Sequence, residues 1–127
     1  MKRVRWLGIL VVGAMLGCLD NGATPGTLQV KLTTPNVGSD GAILFTVNGP
    51  ATLRSASAAA GLRLFAEPLA TVNHFAVTGP LASGTVVTIE VSDVRQSRLY
   101  TATIQQVAAT NTQLRPSLVG YSLTVSP

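Results

Sequence analysis

The sequence predicts an all-β protein, a single antiparallel two-sheet sandwich of about seven strands behind a cleaved N-terminal signal peptide. Three observations carry the prediction. Segments of alternating apolar and polar residues, rich in Val, Ile and Thr, recur from residue 27 to residue 125. Clusters of Gly, Pro, Asn and Ser separate them. A short basic N-terminus precedes an uncharged stretch.

The N-terminus comes first. Lys2, Arg3 and Arg5 place three positive charges ahead of Trp6 to Gly17, a run of twelve residues without a charge. This is the pattern of a secretory signal peptide. A spanning helix needs about 20 apolar residues, so the run is too short to cross a bilayer by itself. It ends Ala14-Met15-Leu16-Gly17-Cys18. Small and apolar residues leading into a lone cysteine resemble the lipobox of bacterial lipoproteins, with Met15 where Leu is usual. The resemblance covers residues 1–18 and implies removal of residues 1–17 and lipidation of Cys18, which becomes the new N-terminus. It places the protein in the bacterial cell envelope, anchored to membrane through Cys18. Leu19 rather than Asp follows the cysteine, which in lipoproteins of two-membrane bacteria implies the outer membrane.

Cys18 is the only cysteine, so no disulfide framework within the chain is available. Removing residues 1–17 also removes three of nine basic residues and none of the five acids, leaving a net charge of about +1. The sequence pI of about 10.0 therefore belongs largely to the signal segment and is no argument for a nucleic-acid partner. The remainder is one domain of ordinary size, able to bury a core without metal or disulfide.

Residues 18–26 form a lipidated cysteine and flexible tether, since Leu19 to Gly26 (LDNGATPG) is rich in Gly, Asn, Asp and Pro. The sandwich domain occupies residues 27–127. Thr27 to Thr33 alternates, with Leu28, Val30 and Leu32 on one face. Ala42 to Asn48 is more uniformly apolar and reads as a central strand with Ile43, Phe45 and Val47 inward. Residues 51–61 (ATLRSASAAAG) lack a regular apolar stripe and read as a long connection with one helical turn. Leu62 to Ala66 is a short strand stopped by Glu67-Pro68, and Ala70 to Thr78 places Asn73, Phe75 and Val77 on one side. Thr85 to Val91 is the clearest strand, with Val87, Ile89 and Val91 inward. Leu99 to Val107 and Tyr121 to Val125 complete seven. Strand spacing and the segment GAILFTV (Gly41 to Val47) are similar to the Ig-like and cohesin-like modules of bacterial surface proteins, a likeness of architecture that implies the sandwich and no particular ligand.

Two stretches share one pattern: FTVNGP (Phe45 to Pro50) and FAVTGP (Phe75 to Pro80). Phe and Val two apart point to one face of a strand, and Pro lacks the amide hydrogen a ladder needs. Each copy reads as a strand end at which Gly-Pro turns the chain out of its sheet. The residues after the two copies do not match, which argues against a duplication.

Catalytic groups are sparse. His74 is the only histidine, and the acids are scattered without the spacing of a calcium loop or the convergence of a zinc site. The sequence therefore gives no catalytic residue, no metal site and no cofactor. Its densest polar segment is Glu90 to Arg98 (EVSDVRQSR). Read as a tight connection between two strands it brings Glu90 near Arg98. Glu90, Asp93, Arg95 and Arg98 are the candidate binding residues, the two arginines suiting carboxylate or sugar-acid groups; the competing reading is a solvated hairpin end. The expected function is a non-catalytic, membrane-anchored envelope module for binding, adhesion or scaffolding, with an envelope protein or polysaccharide as partner. The alternative is an accessory carbohydrate-binding or hydrolytic protein using a groove near His74 or the 90–98 segment.

Overall fold

The computed structural model describes residues 22–127; residues 1–17, read from the sequence as a signal peptide, and Cys18 lie outside the described residues. Two four-stranded antiparallel sheets face one another, with orders β3-β6-β1-β8 and β4-β5-β2-β7. The strands are β1 (Gly26–Thr33), β2 (Asp40–Asn48), β3 (Ser55–Ala58), β4 (Arg63–Ala66), β5 (Val72–Leu81), β6 (Gly84–Val91), β7 (Thr101–Ala109) and β8 (Ser122–Ser126). Only β4 and β5 are consecutive strands of one sheet; every other connection crosses between the two layers.

The alternation read from the sequence is the alternation that is buried. Leu28, Val30, Val87, Ile89 and Val91 of the first sheet pack against Ile43, Phe45, Val47, Phe75 and Val77 of the second, each at most 3% exposed. Among the described residues, the buried apolar side chains run from Leu28 to Val107. Burial of this apolar area is the main force holding the layers together.

Three expectations need correction. Among the described residues there are eight strands, because residues 55–58, within the stretch 51–61 read as a connection with one helical turn, form β3 on the edge of the first sheet, pairing with β6 from Ser55↔Glu90 to Ala58↔Val87. Its alternation of Ser with Ala carries too little contrast in size and polarity to register as a strand, and pairing with β6 overrides alanine's helix preference. The link after β6 is not a hairpin end: it crosses from one sheet to the other and contains a 3-10 helix, η1 (Val94–Leu99).

The third correction concerns the repeated hexapeptide. In the first copy the strand does end at Asn48, and Gly49 leaves the sheet beneath the Tyr100 ring, with which any Cβ at that position would collide. In the second copy the strand does not end. Gly79 adopts φ of 129°, where glycine is favoured, opposite an irregularity between Asp40 and Ala42, and β5 continues to the buried Leu81. The copies are also antiparallel neighbours, with Phe45 directly opposite Phe75.

Candidate functional site

Asp93 is buried at 8% exposure and organises the start of η1. Its carboxylate accepts from the backbone N–H of Arg95 at 3.1 Å and from that residue's Nε and terminal nitrogen at 2.9 and 3.0 Å. It also accepts from the N–H of Thr24 at 3.3 Å, while the N–H of Val94 donates to the Thr24 carbonyl at 2.8 Å. Hydrogen bonding from the Arg95 side chain, against the opposing effect of burial, holds the Asp93 carboxyl down at about 2. The group is therefore ionised throughout the neutral range. Two of the four expected binding residues, Asp93 and Arg95, are thus paired with each other, and Asp93 together with Val94 clamps Thr24. Glu90 lies apart on the outer face of the first sheet, where it accepts the Ser55 hydroxyl at 2.9 Å; it does not meet Arg98. Arg98 is exposed and takes part in no ion pair among the described residues.

The outer faces of the two sheets differ in chemistry. On the first, the outward residues Ser55, Ser57, Thr88, Glu90, Thr27, Gln29, Lys31 and Thr124 make a uniformly hydrophilic surface. On the second, register aligns Phe65, Ala76, Leu44 and Gln106 in one row across all four strands. Leu44 is 41% exposed and Phe65 55%. Two shallow depressions adjoin along this row and share Leu44 and Ala76. One, of about 340 Å³, is bordered by Phe65, Glu67, His74 and Gln105. The other, of about 260 Å³, is bordered by Ala42, Thr78, Ala108 and Leu114. An apolar floor with a few polar groups at its margin is the make-up of a binding surface. His74 and Glu67 are paired there, Nδ1 to Oε1 at 3.2 Å, both well exposed.

A buried polar network that the sequence did not disclose sets one wall of this face. Asp40, fully buried at the start of β2, accepts the Tyr121 hydroxyl at 2.9 Å, the Thr34 hydroxyl, and Arg115 Nε at 3.0 Å. Arg115 also donates to the Ser39 carbonyl and hydroxyl, and Asn36 donates to the Tyr121 hydroxyl at 2.8 Å. The Asp40 carboxylate raises the Arg115 guanidinium above its ordinary value. With Arg115 fixed, its N–H bonds the Val107 carbonyl at 2.7 Å and Leu114 bridges to Ala108. The network therefore holds Leu114 against the margin of β7, where it lines the second depression. Asp40 and Arg115 are far apart in sequence and look unremarkable singly, so no local signal pairs them.

No protein-family model matches the chain, and no curated protein or solved structure is significantly similar to it. Among the described residues no group of three metal-ligating side chains converges, and no helix is long and apolar enough to cross a membrane.

Proposed function

We propose that the protein is a non-catalytic, lipid-anchored module of the bacterial envelope that binds a partner protein through the outer face of the β4-β5-β2-β7 sheet. The observation that carries the choice of surface is the contrast between the two outer faces: one is hydrophilic throughout, the other exposes Leu44 and Phe65 over adjoining depressions. Apolar patches bordered by polar groups mark interaction sites on soluble domains. Anchoring is supported by the N-terminal sequence, in which three cations, twelve uncharged residues and a lone cysteine succeed one another. Metabolic labelling with a fatty acid should mark the wild-type chain and leave Cys18→Ala unmarked; labelling of the variant would refute the anchor.

The Phe65, His74, Glu67 and Gln105 margin favours a second reading, in which the partner is a polysaccharide: an exposed ring offers an apolar platform, and the neighbouring polar groups offer donors and acceptors. One experiment separates the readings. Leu44→Lys with Phe65→Lys should leave the melting transition nearly unchanged, since exposed substitutions usually shift stability by about 0.5 kcal/mol or less. Crosslinking in whole cells followed by recovery of the protein should lose its specific protein adduct in the double variant. Retention on immobilised envelope polysaccharide, lost in the same variant, would favour the second reading, and unchanged behaviour in both assays would show that this face is not the binding surface.

A further inference from the structure

We propose that the η1 end of the sandwich rests on the phospholipid headgroup surface, with Leu99 entering the interface and Arg98 engaging lipid phosphate. The inference builds on the anchored reading. Its starting point is the clamp: Thr24 is held by Asp93 and Val94, so six residues, Cys18 to Ala23, precede the first clamped residue. Such a segment reaches about 20 Å at full extension.

Exposed apolar side chains occur at both ends of the sandwich, and this reach decides between them. Val37 and Val119, 63% and 85% exposed, sit on the connections after β1 and before β8. These two connections are joined by the Asn36 to Tyr121 bond at the end of the molecule where β1 finishes. The clamp lies at the other end, where β1 begins: Gly26 pairs with Val91 and packs on Val94. Eight residues of strand separate the ends, about 25 Å at the usual rise. Seating Val37 and Val119 on lipid would lift the clamp beyond the reach of its tether. The η1 end faces the bilayer without strain.

That end carries suitable chemistry. Leu99 is 58% exposed at the close of η1. Arg98 beside it is exposed, while Asp93, the nearest acid along the sequence, is already occupied by Arg95 and Thr24. A guanidinium matches phosphate geometry through paired donors, and an adjacent apolar side chain gains by leaving water at the acyl boundary. Each contact is weak alone. A short tether raises the local concentration of the surface enough to make weak contacts count.

The test uses a chain beginning at Cys18, which contains the whole sandwich and no tryptophan. Its single thiol is coupled to a maleimide lipid in phosphatidylcholine and phosphatidylglycerol vesicles, so the result does not depend on whether a cell acylates Cys18. Leu99→Trp should lose about half its fluorescence when the acyl chains are brominated, as expected for a ring at the headgroup boundary; Val119→Trp, at the opposite end, should not change. Adding Arg98→Glu to Leu99→Trp should restore much of the lost intensity. Absence of quenching at position 99, or equal quenching at 119, would overturn the orientation. Quenching at 99 indifferent to Arg98→Glu would overturn the phosphate contact. Failure of fatty-acid labelling at Cys18 would instead refute the anchor itself.

Discussion

Asp40→Ala is expected to lower stability by about 3 kcal/mol, because it removes one partner of a buried ion pair and leaves the other uncompensated. Asp40 is fully buried, and the Arg115 side chain beside it is 23% exposed. Losing the carboxylate strands the Tyr121 and Thr34 hydroxyls as well, both of which donate to it. Each buried donor left without an acceptor costs roughly 1–3 kcal/mol, offset where water reaches the partly open Arg115. Asp40→Asn keeps the shape and one acceptor oxygen and should cost less than Asp40→Ala. The site should respond with the fold: without the carboxylate, Arg115 no longer fixes the segment that sets Leu114 on the second depression. Denaturant unfolding of both variants measures the loss. A cost of Asp40→Ala below about 1 kcal/mol, no more than an ordinary neutral hydrogen bond, would show that the network does not hold this end of the sandwich together.

The same residues explain what the sequence could and could not disclose. Strands such as Thr85 to Val91 were legible because burial on one face imposes a period of two on side-chain chemistry, and that period is local. Residues 55–58 were not, since Ser and Ala present no such contrast and their pairing with β6 is a tertiary fact. The 90–98 segment was legible as a concentration of charge, but its role depends on which sheet each flanking strand joins. Because β6 and β7 lie in different sheets, the segment crosses between layers and captures Thr24. Nothing local distinguishes that geometry from a hairpin. The apolar row on the second outer face was hidden for a related reason: Phe65, Ala76, Leu44 and Gln106 come from four strands and meet only through register. The alternation within each strand places Leu44 outward, yet a single outward Leu is common and uninformative.

Phe45→Ala and Phe75→Ala should each cost about 3–5 kcal/mol, the range for truncating a buried aromatic side chain. Phe45 is fully buried at the centre of β2 and Phe75 is 3% exposed opposite it. Their ring centroids are 5.6 Å apart with planes tilted by 59°. That tilted geometry lets a ring edge meet a ring face and contributes about 0.5–1.5 kcal/mol beyond area burial. Each truncation removes the pair interaction and opens a void between sheets that cannot close without shifting both layers. The double variant should therefore cost less than the sum of the singles by at least the ring–ring coupling, with more if the two voids merge and the layers collapse into the space. Thermal and denaturant unfolding of the three variants gives the cycle. Strict additivity would show that the aligned Phe residues fill separate pockets rather than bracing one another across β2 and β5. Coupling would show that the repeated Phe-x-Val pattern joins neighbouring strands at the core, while its two glycines meet different local demands: clearance beneath Tyr100 at Gly49, and a positive φ within a continuing strand at Gly79.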